Sequence, residues 1–260
     1  MADDGETFRT TLENRDRVLR SLRESPATKP ALVSELRTSR STIDRAIREL
    51  IEQGCVAEQD GTYAPTKTGR LALAEHERYR ERTRSIRRSS ELLNYLPEDA
   101  EIAPALLDGA SITIAEPHAP EAATVRGSRL LERATVLKGL APVATASHVY
   151  TINEQLEREE LTVEVVAKTE VVDTLSEFVS APVDALLERE SLSLYRTDAE
   201  LPYALWLMET PTGEHAGITV YESGSVAGML VNDADPAVRW ARTRYREYRK
   251  RAQPVANASV

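Results

Sequence analysis

The 260-residue sequence predicts two domains of different class: an N-terminal α+β unit of short helices and one hairpin, then a larger mixed α/β unit. Three observations carry this. The length exceeds what one ordinary core fills, since single domains cluster near 100–150 residues. Residues 12–64 show helix-period apolar spacing three times and then a tight-turn hairpin. Beyond Pro97, short apolar runs alternate with helical ones. The expected boundaries are 1–75 for the first domain, 76–97 for a helical linker, 98–251 for the α/β domain and 252–260 for a disordered tail.

The first helix is expected from about Leu12 to Leu22, with Val18, Leu19 and Leu22 on one side and Arg15, Arg17, Arg20 and Arg23 on the other; Ser25-Pro26 stops it. A second, short helix starts near Pro30, a residue suited to a first turn whose N–H groups are unpaired anyway, and buries Leu32, Val33 and Leu36. Thr38 or Ser39 can cap the third helix, whose stripe is Ile43, Ile47, Leu50 and Ile51. Gly54 ends it, needing no Cβ in the left-handed region. Cys55–Glu58 and Thr62–Ala64 then read as strands about an Asp60-Gly61 turn. A long helical run follows from Thr66 to about Leu96, and its 78–88 stretch is poor in apolar residues.

In the second domain, Ser111–Ala115, Thr135–Leu140, Leu161–Ala167, Ser191–Arg196, Tyr203–Met208, Ala216–Tyr221 and Val226–Val231 are expected strands. The last two face each other across Glu222-Ser223-Gly224-Ser225 as a hairpin. Helices are expected at 121–133, Tyr150–Arg158, Pro182–Glu188 and Pro236–Lys250, the last capped by Asp235.

The formal net charge of −9 is unevenly spread: residues 1–90 carry 18 Lys+Arg against 15 Asp+Glu, and residues 91–260 carry 15 against 27. The local surface governs contact with phosphate, so an acidic chain of this kind still permits a basic face. Only five of the 33 basic residues are lysine, and with the acidic excess this composition resembles proteins of salt-accumulating archaea. No run approaches the roughly 18 apolar residues of a membrane span, and Met1–Arg20 lacks the apolar core of a signal peptide, so a cytoplasmic location without membrane contact is expected. The lone Cys55 cannot form an internal disulfide, and four scattered histidines hold no zinc motif.

Three helices, a turn of three to four residues before the last of them, and a hairpin are the winged helix-turn-helix plan. A helix fits the major groove, and its first side chains then lie near base edges. Arg40, Ser41, Thr42 and Arg45 are the candidates for that surface: a guanidinium fork can pair with both guanine acceptors, and hydroxyls can meet base or phosphate. Arg48, Lys67 and Arg70 are candidates for phosphate contact, and the Asp60-Gly61 tip for the neighbouring minor groove. Asp44 is placed to pair with Arg48 four residues on. Double-stranded DNA is the expected partner, bound by a homodimer, with the long helix and Pro236–Lys250 as candidate subunit contacts.

The segments Val18–Leu22, Ala31–Val33, Ser39–Leu50 and Tyr63–Gly69 resemble archaeal winged-helix regulators abundant in haloarchaea. Ala216–Glu222, Gly228–Asn232, Ala237–Ala241 and Tyr245–Arg249 resemble the domain named after the methanogenesis regulator of methanogenic archaea. The resemblance implies a dimeric transcription regulator whose second domain receives a small-molecule effector or other signal. An enzyme is not expected: the sequence has no Gly-x-Ser-x-Gly elbow, His-Glu-x-x-His helix, phosphate-binding glycine loop with its lysine, or dinucleotide fingerprint, and no cofactor or metal is implied. His148 could bind a ligand or cap a helix. The alternative is an architectural or scaffolding DNA-associated protein without an effector, in which Trp206, Met208, Trp240, Tyr245 and Tyr248 form an interface; core packing suits Trp206 better.

Overall fold

The structure, a computed structural model, describes residues 4–177 and 187–255. It divides into two compact units, Met1–Thr83 and Arg84–Val260.

The first unit contains α1 (Asp4–Glu24), α2 (Lys29–Leu36), α3 (Arg40–Glu52), the hairpin β1 (Val56–Gln59) and β2 (Thr62–Pro65), and the start of α4 (Lys67–Leu93). Helix α1 begins well before the expected Leu12, because Asp4 and Glu6 put negative charge at its N-terminus and Phe8 adds an apolar contact to the core. Leu19, Leu22, Leu32, Ile43, Ile47 and Leu50 are fully buried there. Ile51, expected in the α3 stripe, is 41% exposed; Ala46 takes the inward position instead. These elements form a winged helix-turn-helix.

Backbone contacts hold the wing. Ala27 and Tyr63 exchange N–H···O bonds of 3.1 and 2.9 Å. Thr66 donates its N–H to the Cys55 carbonyl at 2.9 Å and its hydroxyl to the Gly54 carbonyl at 2.6 Å, while its Oγ1 accepts from the Gly69 N–H at 3.1 Å. The start of α4 therefore presses on the end of α3, and a Cβ at Gly69 would lie 2.0 Å from the Cys55 carbonyl oxygen. Ion pairs add the outer ties: Arg15 to Glu49 at 2.7 Å joins α1 to α3, and Arg20 and Arg23 meet Glu77 of α4 at 2.9 and 2.7 Å. Asp16, buried in α1, accepts from Arg20 and from Arg80 of α4.

The second unit comprises α5 (Pro104–Leu107), β3 (Ser111–Ile114), α6 (Val125–Leu131), β4 (Val136–Ala141), α7 (Ala146–Glu157), β5 (Thr162–Lys168), α8 (Thr169–Thr174), β6 (Leu192–Thr197), β7 (Ala204–Thr210), β8 (Gly213–Glu222), β9 (Ser225–Asn232), α9 (Asp235–Arg249) and β10 (Gln253–Pro254). One eight-stranded sheet runs β10-β6-β5-β4-β7-β8-β9-β3, with β4, β5 and β6 parallel and the other pairs antiparallel. Alternate side chains of a strand serve opposite faces. Leu205 and Leu207 of β7 pack with Ala237, Val238, Ala241 and Tyr245 of α9, whereas Trp206 and Met208 pack with Leu131 and Leu156 beneath α6 and α7. Trp206 is thus a core residue, 7% exposed, and Gly217 makes room for it: a Cβ there would lie 2.1 Å from its ring.

Several expectations need correction. Helices α5 and α8 lie outside the expected elements; at four and six residues they are too short to print a period. Asp235 does not cap α9: the position before the helix is Ala234, whose N–H donates to Asn232 Oδ1 at 2.9 Å. The Asn232 amide also donates to the carbonyls of Leu106 and Asp108, so this buried side chain ties α5 to the start of α9. The tail expected to be loose from Ala252 is paired at its start, Gln253 and Pro254 lying against Arg196 and Tyr195; residues 256–260 lie outside the described residues. So does the expected helix at Pro182–Glu188 up to residue 186.

Gly69→Ala forces a methyl group into the Cys55 carbonyl and is expected to destabilise the N-terminal unit by about 1–3 kcal/mol. Hydrogen exchange of peptides covering residues 40–66 in the full chain measures the loss. The Arg15 guanidinium holds the Glu49 carboxyl below its ordinary range, and Arg23, with Arg20, does the same for Glu77. A depressed carboxylate contributes stability that is complete above its unfolded value, near 4.3, and is lost as pH falls through the folded one. Protection of the same peptides, corrected for intrinsic exchange, should hold from pH 7 to about 5 and decline below about 4.3, with a shallower decline in Glu77→Gln.

Candidate nucleic-acid interface

The turn before α3 is built by two residues. Arg37 ends α2 in the left-handed region, φ +49°, where its N–H reaches the Val33 carbonyl; it is exposed. Ser39, rather than Thr38, caps α3, its Oγ accepting from the Thr42 N–H at 3.2 Å. The same oxygen lies 3.0 Å from Ser41 Oγ and 2.8 Å from Thr42 Oγ1, so three hydroxyls form one exposed cluster at the helix start.

With Ile43, Ala46, Ile47 and Leu50 turned inward, the 3.6-residue repeat sends Ser41, Arg45 and Arg48 to the opposite face, and Arg40 and Thr42 flank it. All five are exposed. Arg48 lies 3.9 Å from Glu52, a solvated pair of small worth. Arg40 and Arg45 have no ion-pair partner among the described residues, nor do Lys67 and Arg70, which are exposed on the first turns of α4. Asp60 and Gly61 form the exposed wing tip, φ +51° and +74°, a two-residue turn needing positive φ at both positions.

Asp44 does not steer Arg48. Its carboxylate meets Lys29 of α2 at 2.8 Å, and Lys29 also stands 5.6 Å from the centre of the Tyr63 ring in β2. The bond from Lys29, with the Arg40 charge adding to it, holds the Asp44 carboxyl below its usual range; Asp44 in turn raises the lysine. Burial, followed by the bond with Glu58, raises the Tyr63 phenol. Lys29 and Asp44 thus brace α2, α3 and the wing against one another. Sequence spacing cannot find this pair, since the partners lie on different elements. Arg37 is a further exposed cation beside α3 that the sequence reading misses; its place inside the turn leading to that helix was the available signal.

In the second unit, His148 lies in the first turn of α7, its Nδ1 2.9 Å from Thr145 Oγ1 and its Nε2 3.4 Å from Ser128 Oγ. Burial lowers its pKa. Among the described residues no group of three or more His, Cys, Asp or Glu side chains could hold a metal ion, and no helix is long and apolar enough to cross a membrane.

Comparison with known proteins bears on both units. The family described as "HVO_A0261 N-terminal domain" matches residues 3–88, and "Methanogenesis regulatory protein FilR1, middle domain" matches residues 120–251. No curated protein matches the chain. Among solved structures, the archaeal chromatin protein TrmBL2 is 12% identical over 94% of each chain, with a TM-score of 0.45. The methyltransferase CalO1 of calicheamicin biosynthesis, in its SAH-bound form, is 19% identical over 77% of this chain and 65% of its own, TM-score 0.25. The S-adenosylmethionine-dependent methyltransferase SibL is 14% identical over 75% and 62%, TM-score 0.26. Backbone likeness this loose carries no argument about activity. The family matches, by contrast, cover residues 3–88 and 120–251, and the second alone spans just over half of the sequence: the protein belongs to the family of the archaeal methanogenesis regulatory protein FilR1 and is DNA-associated.

Proposed function

We propose that this protein is a sequence-specific, DNA-binding transcription regulator that acts as a homodimer and whose C-terminal unit responds to a ligand or signal. The carrying observation is a division of labour among the basic residues of the first unit. Arg15, Arg20, Arg23, Lys29 and Arg80 are paired with carboxylates and hold helices together. Arg40 and Arg45 on α3, and Lys67 and Arg70 on α4, are exposed and have no such partner among the described residues. Cations without a structural duty, beside a hydroxyl cluster at the start of α3, suit base edges and phosphate in a major groove.

Dimerisation follows from what one such unit can read. A single recognition helix covers few base pairs, and two half-sites restore selectivity. Helix α4 offers a face for it within the first unit: Leu71 and Tyr79, both 62% exposed, lie eight residues apart, which the helical repeat places within about 80° of arc. The acidic excess of residues 91–260 repels nonspecific DNA and preserves solubility, leaving base contacts to supply the specific affinity.

An operator selected from random duplexes tests the reading. Arg40→Ala with Arg45→Ala is expected to cost about 1–3 kcal/mol of discrimination for each base that the two arginines read, at fixed salt and with unchanged circular dichroism. Unaltered discrimination would remove those two residues from the reading surface. Equal affinity of the unmodified protein for every duplex would make it an architectural DNA-coating protein instead.

A further inference from the structure

A cavity of about 210 Å³ lies in the second unit between the sheet and helices α6 and α7. Leu137, Val163, Trp206 and Met229 line it from the strands, and Leu131 and Ile152 from the helices. In a chain of which 29% is charged, no Lys, Arg, Asp or Glu lines it among the described residues. Empty apolar space forfeits packing that a fitting occupant restores, and a cavity of roughly 150 Å³ with similar walls takes benzene. This one has room for one ring more.

Its few polar groups are neutral. Tyr221 lines the cavity, and its hydroxyl has no hydrogen-bond partner among the described residues; burial pushes its pKa up to about 12, so at neutral pH it stays protonated and can donate. His148, also in the wall, is bonded through Nδ1 to Thr145 and has only a long contact at Nε2; burial keeps the ring uncharged at neutral pH. An ionic ligand would lose its hydration and meet no countercharge, so it is excluded on energetic grounds.

We infer that this cavity binds an uncharged, one- or two-ring apolar molecule bearing a single hydroxyl or carbonyl oxygen that accepts a hydrogen bond from Tyr221. The inference rests on the regulator reading only for the consequence of binding. The site itself is tested without DNA, so the failure of either leaves the other standing.

Calorimetric titration of the full chain with 2-naphthol, and separately with naphthalene-2-sulfonate, is the experiment. One equivalent of 2-naphthol should bind, the sulfonate at least tenfold more weakly, and Tyr221→Phe should weaken the naphthol by roughly 2- to 12-fold. Val149→Trp and Ile152→Trp fill the space and should each abolish binding in folded protein. In Trp240→Phe, where Trp206 is the remaining tryptophan, naphthol should quench the emission, so occupancy is read even where a filling variant fails to fold. No binding of naphthol, equal binding of the sulfonate, or an unquenched Trp206 would overturn the inference.

Discussion

When α3 packs onto α1 and α2, Ile43, Ile47 and Leu50 are withdrawn almost completely from water, a burial worth about 1.5–3 kcal/mol for each side chain. A helix is a rigid cylinder, so the same burial aims Ser41, Arg45 and Arg48 outward. The surface proposed to read DNA is therefore set by the core beneath it rather than by contacts of its own. Around that core the supports are redundant: Arg15 to Glu49, Lys29 to Asp44 and the Thr66 bonds to Gly54 and Cys55 each hold α3 or the turn after it from a different side. A loosened support would let α3 roll, and base contacts tolerate little of that.

The second unit obeys the same economy with a sheet in place of a helix. Period-two alternation along β7 sends Leu205 and Leu207 into one core and Trp206 and Met208 into another, so a single strand serves both faces. The cavity beneath α6 and α7 is walled by apolar side chains, whereas the pocket beside α9 is lined by charged ones, Lys138, Glu164, Glu214, Arg242 and Arg249 among them.

Sequence periodicity reveals the N-terminal unit nearly whole, because each of its helices has one partner face and a matching stripe. It also singles out α3 as a candidate surface, on which Arg40 and Arg45 are exposed. What escapes it depends on contacts between distant positions. Asp44 has an arginine four residues on, the usual local signal, yet pairs with Lys29, which tertiary packing brings nearer. Asp235 has the residue type of a cap, but Asn232 is the side chain the backbone presents to the Ala234 N–H. Strand order is illegible for the same reason: the parallel trio β4, β5 and β6 is joined through crossovers, and nothing within a strand names its neighbour. The cavity is lined from several strands and helices, so no single stretch announces it.

The account turns on α3 lying in the major groove. Affinity cleavage measures this directly, with iron-EDTA tethered to a cysteine in place of Ser41 or, as a control, of Glu13 on the exposed side of α1, in a Cys55→Ser background. Cleavage from position 41 should fall in two narrow clusters centred one helical turn, about 10–10.5 base pairs, or a multiple of it apart, and exceed that from position 13. Diffuse cleavage from position 41, or sharper cleavage from position 13, would contradict it.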